Sequence, residues 1–116
     1  MELLMMELCR GDVCLVNFNP AKGGEMGKLR PAIIMSDAVD NKILDTVIVI
    51  PLSTVIEKES EPYRYTIKHR DALHKDSDAC IYEIRALSKT RVKERLTTLK
   101  EEELQKVQTY LCQIIK

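Results

Sequence analysis

Short apolar runs separated by turn residues occupy most of this chain. Residues 12–19 (DVCLVNFN), 31–36 (PAIIMS) and 45–51 (DTVIVIP) are rich in Val, Ile or Leu, and they are bounded by Pro, Gly or polar residues. Such runs predict short strands, the second and third of them buried on both faces. Several short strands at close spacing predict a small, mostly antiparallel β-barrel.

The second half of the chain continues this pattern. Residues 63–68 (YRYTIK) alternate, which predicts a half-exposed strand with Tyr63 and Tyr65 turned towards the core. Residues 79–87 (ACIYEIRAL) and 95–99 (RLTTL) predict two more strands. The segments between the strands are polar and are interpreted as turns or loops: residues 37–42, 53–62, 69–78 and 88–94. Residues 88–94 are expected to form a short helical turn.

Residues 101–116 (EEELQKVQTYLCQIIK) follow a helical pattern. Thr98 with Glu101 matches a capping box at its start, and Lys100 is the alternative boundary. The acids in the first turn suit the positive end of the helix dipole. The apolar residues recur at helical spacing and form one stripe: Leu104, Val107, Leu111, Ile114 and Ile115. We therefore expect one C-terminal helix packed against the barrel.

The length of 116 residues indicates one domain. We assign residues 9–116 to it and residues 1–8 (MELLMMEL) to a flexible N-terminal extension. That extension lacks the basic start and the cleavage site of a secretory signal. No apolar run reaches the roughly 20 residues of a membrane helix. These features favour a cytoplasmic protein that does not contact a membrane.

The chain contains four cysteines: Cys9, Cys14, Cys80 and Cys112. They form no CxxC pair, and His69 and His74 are not spaced with them as zinc ligands. We therefore expect reduced, mostly buried thiols, no metal site and no cofactor. Both histidines lie in a highly charged stretch (KHRDALHKD) and are interpreted as surface residues.

A candidate anion-binding side chain follows the glycine-rich segment AKGGEMGKL. Arg30 precedes Pro31, and the proline ring disfavours the α conformation for its neighbour. Arg30 is therefore held extended at the start of a buried strand, beside an exposed loop. The planar guanidinium group matches the oxygens of a phosphate. The alternative is an ordinary surface arginine.

Two adjacent hydroxyl groups, those of Ser53 and Thr54, end the strand that precedes them. Hydroxyls at a strand end can donate to a phosphate or orient a ribose hydroxyl. The alternative is a turn start, where Ser and Thr bond to the local backbone.

Charged residues also interrupt the strand predicted at residues 79–87. In a strand, Glu83 and Arg85 share one face and Tyr82 takes the other. The Glu–Arg pair is either an exposed ion pair of little energy or a base beside a phosphate clamp. Tyr63, Tyr65 and Tyr82 are the aromatic residues available to stack on bases.

The formal net charge is zero, from 18 Lys plus Arg and 18 Asp plus Glu. A nucleic-acid surface would therefore have to be local. Basic residues gather after the predicted strand of residues 79–87 and around the glycine-rich segment. The residues of these two groups that we expect to contact a nucleic-acid backbone are Lys22, Lys28, Lys89 and Arg91.

Taken in order, these segments resemble the MazF/PemK family of toxin–antitoxin ribonucleases. The opening RGDVCLVNFNPAKGGEMGKLRPAIIMSD looks like the start of that family, and IVIPLST looks like its next strand. IYEIRALSKTRV resembles a later strand with an arginine and a basic turn, and LTTLKEEELQKV resembles the closing strand and helix. The resemblance runs from about Cys9 to the C-terminus.

The resemblance implies an SH3-like homodimer that cleaves single-stranded RNA without a metal. Attack of the ribose 2′-OH would leave a 2′,3′-cyclic phosphate and a 5′-OH. It implies a cognate MazE-like antitoxin whose acidic tail covers the RNA groove. By position, Arg30 and Ser53 match the catalytic pair, Glu25 an acid of the glycine-rich loop, and Arg85 the arginine of the later strand.

One position departs from the family pattern, because some members carry a catalytic acid where this chain has Tyr82. Here the acid is Glu83, one residue later, so the general base stays open. Two other interpretations also stay open: a gyrase poison of the CcdB type and a non-catalytic SH3-like binding module.

Overall fold

Antiparallel strands followed by a C-terminal helix make up the described part of the chain, which covers residues 7–18 and 28–116 of a computed structural model. In chain order the elements are β1 (Asp12–Asn17), β2 (Leu29–Ile34), α1 (Ala38–Ile43), β3 (Thr46–Ser53), β4 (Arg64–Ile67), β5 (Ser77–Cys80), a 3-10 helix (Ile81–Glu83), β6 (Arg85–Ser88), a second 3-10 helix (Lys89–Arg91), β7 (Val92–Thr98) and α2 (Glu101–Ile114). This order confirms the predicted fold class.

The strands form one strongly curved sheet in the order β4-β5-β3-β2-β1-β7. β3 is its centre, because β2 pairs with one edge while β5 and β6 follow each other along the other edge. Two register shifts between β1 and β7 increase the local twist. The pairings among the described strands do not join β7 to β6, so the sheet is barrel-like without closing into a ring.

The prediction of a single strand over residues 79–87 is wrong. Leu52 of β3 pairs with Ala79 of β5, whereas Val49 pairs with Arg85 of β6. Between these two pairings, β3 contains only residues 50–51. The segment that runs from β5 to β6 contains residues 80–84 over the same span. The 3-10 helix Ile81–Glu83 takes up the three extra residues. Strand alternation therefore does not apply to Tyr82 and Glu83.

Aliphatic side chains fill the space on both faces of the sheet. One cluster lies between the sheet and α2; we call it the helix-side cluster, and it includes Val13, Ile33, Ile50, Leu52 and Val107. The other lies on the opposite face; we call it the far-side cluster, and it includes Cys14, Val16, Phe18, Val47 and Val49. Burial on both faces explains why the strand sequences are nearly continuous apolar runs.

A short helix, α1, replaces the polar turn expected at residues 37–42. Its Asn41 is buried, and the side-chain amide donates to the carbonyls of Leu8 (2.8 Å) and Ser36 (3.0 Å). An isolated six-residue helix is unstable in water, so tertiary contacts of this kind stabilise it. Leu8, which we had assigned to the N-terminal extension, is itself buried in the far-side cluster.

The two tyrosines that are expected in the core differ in their burial. Tyr65 packs edge-to-face on Tyr110 of α2 with ring centroids 6.0 Å apart, as expected of a core residue. Tyr63 is 54% exposed, so the prediction for it is wrong. It lies just before β4 and falls outside the strand whose alternation suggested its burial.

Helix α2 begins at Glu101, so the residue at its N-terminal boundary is Lys100 and not Thr98. The apolar stripe of α2 packs on the helix-side cluster. The Glu103 carboxylate accepts the backbone N–H of Lys100 at 2.8 Å and so caps the first turn. Ile115 lies beyond the end of α2 and is exposed.

Several observed element boundaries also differ from the predicted ones. β5 starts at Ser77 within the expected turn, and β7 starts at Val92, three residues earlier than its predicted strand. No described helix is long and apolar enough to cross a membrane.

Candidate active site at the strand ends

Arg30 and Ser53 lie at the adjoining ends of two neighbouring strands. β2 and β3 are antiparallel, and Ala32 pairs with Pro51 at the end of their ladder. The same register, continued by two residues, brings Arg30 level with Ser53. Neighbouring strands are about 4.8 Å apart, so the two side chains are close enough to hold one group between them. Both residues are half-buried.

The pleat of the sheet turns the predicted basic residues to one face. Arg30 pairs with Val16, and Arg85 pairs with Val49. Both valines belong to the far-side cluster, and directly paired residues share a face. Ser53 is four residues beyond Val49 in β3, so alternation places it on this face as well. Arg30, Ser53 and Arg85 therefore point to the same side of the sheet.

The hydroxyl of Ser53 is positioned by a local turn. Its oxygen accepts the backbone N–H of Val55 at 3.1 Å, which fixes Oγ at the end of β3. A hydroxyl keeps its own hydrogen for donation when it accepts in this way. Thr54 follows and is exposed. The hydrogen bond from Val55 therefore confirms the turn interpretation, and the hydroxyl hydrogen stays available for donation to a phosphate.

Arg85 lies over the ring of Phe18. Its guanidinium carbon is 5.7 Å from the centre of the Phe18 ring, at cation–π distance. The backbone N–H of Phe18 donates to the carbonyl of Lys28 at 2.9 Å, so these two residues lie side by side. Lys22 and Glu25, expected to bind RNA and to support catalysis, lie in the glycine-rich segment and outside the described residues.

A buried carboxylate next to Ser53 was missed by the sequence analysis. Asp78 pairs with Ser53 across the ladder, and its side chain is 1% exposed. It accepts hydrogen bonds from Thr66 Oγ1 (2.6 Å), Arg64 Nη1 (3.2 Å) and the backbone N–H of Glu57 (2.9 Å). Nothing in its charged sequence context marked it as buried. Asp78 fixes a third guanidinium, that of Arg64, beside the strand end.

The electrostatic environment of Cys80 links these groups. Burial is the main cause that raises the pKa of its thiol. The positive charges of Arg64 and then Arg30 lower that pKa. The negative charge of Glu83 raises it. The prediction that Cys80 and Cys14 are buried is confirmed.

Tyr82 and Glu83 occupy the 3-10 helix between β5 and β6, and both are exposed. The strand-based prediction that they face opposite sides is therefore wrong. The ring of Tyr82 packs edge-to-face against Tyr63, with centroids 6.0 Å apart.

The remaining predicted basic residues divide between the site and the rest of the molecule. Lys28 is exposed just before β2, two residues from Arg30. Arg91 donates to the carbonyl of Asn17 (3.2 Å) at the end of β1 that adjoins Phe18. Lys89 lies beyond Ser88, which pairs with the first residue of β3, and its ammonium donates to the carbonyl of Asn41 at 2.6 Å. The structure thus does not bring Lys89 to Ser53.

His69 and His74 are exposed, as expected of surface histidines. His69 nevertheless has a partner, because its Nδ1 is 2.7 Å from Asp76 Oδ1. The backbone N–H of His69 and then its ring lower the pKa of Asp76 to about 2. Across residues 7–18 and 28–116, no three His, Cys, Asp or Glu side chains are grouped so as to hold a metal ion.

Comparison with known proteins identifies the family. Residues 9–115 match the profile of the PemK-like, MazF-like toxins of type II toxin–antitoxin systems. The chain belongs to this family. A MazF/PemK relative described as Endoribonuclease MazF, from Staphylococcus saprophyticus, is 38% identical over 99 residues, which are 84% of this chain and 82% of the relative.

Solved MazF structures have the same fold. A MazE–MazF structure from Deinococcus radiodurans superposes with a TM-score of 0.78 at 20% identity, covering 95% of this chain and 96% of that one. A mycobacterial endoribonuclease in complex with its cognate antitoxin superposes with a TM-score of 0.71 at 19% identity, covering 90% and 91%. The prediction of the MazF/PemK family is confirmed.

Proposed function

We propose that this chain is the toxin of a type II toxin–antitoxin pair and an endoribonuclease that cuts single-stranded RNA. Membership of the MazF/PemK family and 38% identity to an Endoribonuclease MazF support the proposal. The observation that carries it is the position of Arg30 beside Ser53 at adjoining strand ends, with Arg85 on the same face.

The reaction uses a nucleophile that belongs to the substrate. The ribose 2′-oxygen attacks the adjacent phosphorus, the bond to the 5′-oxygen breaks, and the products carry a 2′,3′-cyclic phosphate and a 5′-OH. Arg30 stabilises the charge that develops on the phosphoryl oxygens, as oriented donors do in many enzymes. Ser53 orients the phosphate through its hydroxyl. Alignment of an internal nucleophile supplies much of the rate by itself.

Two proton transfers accompany the reaction. The 2′-OH gives up its proton to a base, and the leaving 5′-oxygen takes one from an acid. The candidate carboxylates are Glu83, in the 3-10 helix between β5 and β6, and Glu25, in the glycine-rich segment. Arg30 supplies its planar N–H donors and its positive charge to the phosphate oxygens. Arg85 and Thr54 assist by contacting the phosphate.

Charge complementarity determines the partners that we propose. Lys22, Lys28 and Arg91 extend the cationic surface along the RNA backbone, with Lys89 at a distance. A flexible acidic segment of a MazE-like antitoxin competes for the same surface. The chain forms a homodimer and works in the cytoplasm, where its thiols stay reduced.

The decisive experiment incubates purified, antitoxin-free protein with a mixed-sequence RNA in excess EDTA and reads the product ends by mass spectrometry. We expect cuts at a short motif, with cyclic phosphate and 5′-OH ends. Arg30→Ala and Ser53→Ala should each lower the rate by roughly 10²- to 10³-fold, as loss of one oriented donor does.

Arg10→Ala is the matched control, because this exposed arginine donates to the carbonyl of Met35 beyond the other end of β2. It should cleave at the wild-type rate. Folded wild-type protein that leaves RNA intact would disprove the ribonuclease and turn attention to the gyrase-poison and binding-module interpretations. Full activity in Arg30→Ala would disprove the role of that residue.

A further inference from the structure

The ring of Phe18, directly after β1, has three cationic residues as neighbours. The guanidinium carbon of Arg85 is 5.7 Å from the ring centre. The backbone N–H of Phe18 donates to the carbonyl of Lys28, so Lys28 stands opposite Phe18 where the β1–β2 ladder ends. Val16 pairs with Arg30, which makes Arg30 the diagonal neighbour of Phe18 on the same face of the sheet. The ring therefore lies beside the residue that we place at the centre of the candidate site.

The backbone of Arg85 does not by itself bring its guanidinium group to the strand ends. Arg85 is the first residue of β6 and pairs with Val49, which is four residues before Ser53 in β3. Four residues of a strand span about 13 Å, so the direction of the long Arg85 side chain decides whether it reaches the site. Phe18 is 9% exposed and packs in the far-side cluster, which fixes its ring. The fixed ring sets the direction of the exposed Arg85 side chain.

The positive charge around the ring is not neutralised by carboxylates. Within residues 7–18 and 28–116, no acidic side chain forms an ion pair with Lys28, Arg30 or Arg85. Three other arginines have a carboxylate oxygen at 2.6 to 3.2 Å: Arg64, Arg70 and Arg95. The described part of the chain thus pairs arginines elsewhere and leaves net positive charge here, where an anion would bind.

An aromatic ring orients a guanidinium group in a way that a carboxylate does not. The face of the ring attracts the cation but carries no net charge, so the charge of Arg85 persists. No described residue accepts a hydrogen bond from the Arg85 side chain, which keeps its five N–H donors available. A carboxylate partner would occupy two of these donors and cancel the charge. Arg85 is therefore held in place and remains able to bind a phosphate.

We propose that Phe18 is a positioning residue, whose ring holds the Arg85 guanidinium beside Arg30 so that both arginines bind phosphate oxygens of the RNA. The inference rests on the proposed ribonuclease function and specifies how one of its cations is preorganised. A long side chain that is held in place before the RNA arrives loses less entropy on binding. Phe18 acts through Arg85 and contacts no reacting atom.

The contact between the ring and the guanidinium group is measured first, without RNA. Phe18 is the only phenylalanine in the chain, so protein with isotopically labelled phenylalanine gives one set of ring signals in NMR spectra. We expect nuclear Overhauser contacts from the ring to the Arg85 side chain. We also expect a ring-current shift of the Arg85 δ-protons that disappears in Phe18→Leu. Absence of the Overhauser contacts in the folded wild type would overturn the inference.

The effect on RNA is measured with a 2′-O-methyl strand, which lacks the nucleophile, through fluorescence polarisation of a label. Phe18→Leu keeps an apolar side chain, and we expect it to weaken binding by roughly 2- to 10-fold, because Arg85 must then be ordered during binding. Phe18→Tyr keeps the ring and should bind as wild type. In an Arg85→Ala background, Phe18→Leu should cause no further loss, because the two changes remove the same contact.

Leu8→Ala is the matched control for lost packing. Leu8 is buried in the same far-side cluster, and its carbonyl accepts the Asn41 side chain of α1, away from Arg85. We expect Leu8→Ala to be less stable in urea unfolding and to bind the RNA as wild type under conditions in which it is folded. The wild-type NMR measurement needs no substitution, so it decides whether the contact exists even if Phe18→Leu does not fold.

The outcomes separate the inference from the proposed function. Wild-type affinity in Phe18→Leu would overturn the role of Phe18 and leave the ribonuclease in place. The same conclusion would follow if the losses in Phe18→Leu and Arg85→Ala simply added in the double variant, because Phe18 would then act independently of Arg85. A folded wild type that neither binds nor cleaves RNA would overturn the proposed function and the inference with it.

Discussion

At the scale of single residues, Asp78 combines a charge with complete burial. Burying a carboxylate is costly unless it is paired and hydrogen-bonded. Here Thr66, Arg64 and the backbone of Glu57 all donate to it. These contacts join β5, which carries Asp78, to β4 and to the loop after β3. Asp78 therefore orients the elements that surround Ser53 without taking part in the chemistry that we propose.

Removal of the Asp78 carboxylate should destabilise the fold strongly. We expect Asp78→Ala to lower the free energy of unfolding by about 3–5 kcal/mol, because three donors lose their acceptor and one of them is a charged guanidinium. Asp78→Asn should cost less, since it keeps an acceptor oxygen. Urea denaturation measures the difference.

The control for this experiment is Asp45→Ala, at an exposed position between α1 and β3. It should change stability by less than about 0.5 kcal/mol. If Asp78→Ala were as stable as Asp45→Ala, the buried contacts would contribute nothing and the account of Asp78 would be incorrect.

At the scale of elements, the turn between β4 and β5 is tied to helix α2. Arg70 donates to Glu103 through both terminal nitrogens at 2.6 Å, and the two side chains are 19% and 13% exposed. The hydrogen bonds from Arg70 are the main cause that lowers the pKa of Glu103, and burial opposes them. The helix is thereby fixed at its first turn against the β-sheet.

This tie should make stability depend on pH. A carboxyl group whose pKa is lower in the folded state stabilises the protein above its unfolded pKa of about 4.3, and the effect is lost as pH falls through the folded value. At pH 7 we expect Glu103→Gln to be less stable than wild type by about 1.5–3 kcal/mol. The difference should shrink below about pH 4.

Glu102→Gln, on the exposed side of the same turn, is the matched control and should show little change at either pH. Chemical denaturation at pH 3 and pH 7 gives the comparison. An equal loss for Glu103→Gln at both values would mean that Glu103 acts through packing and not through its charge.

At the scale of the whole molecule, exposed aliphatic side chains gather on α1 and the start of β3. Val39 is 61%, Ile43 is 72% and Ile48 is 43% exposed. Because apolar surface is stabilised by burial, these residues add to the case for the homodimer that we propose. Sedimentation velocity should find a species of twice the 13.3 kDa chain mass.

The dimer should persist at high salt, since an apolar interface is not screened. A 13.3 kDa species at all concentrations tested would reject the homodimer. Dissociation by salt alone would indicate that charged contacts hold the two copies together.

Sequence alone was sufficient for the fold class, the family and the two residues that we place at the centre of the site. Periodicity and turn residues are local properties, and β1, β3 and α2 are long enough to express them. Arg30 and Ser53 each stand beside a marker that also acts locally, a proline in one case and a strand end in the other. Family resemblance then connected them.

Only the tertiary structure decided which of the remaining residues meet. The 3-10 helix at Ile81–Glu83 exists because β5 and β6 pair with β3 in different registers, and a register between strands distant in sequence leaves no local signal. The same register exposes Tyr82 beside Tyr63. Asp78 became a buried acceptor for the same reason, since its donors come from separate elements. Burial and long-range pairing depend on the whole chain, whereas propensity depends on a few neighbouring residues.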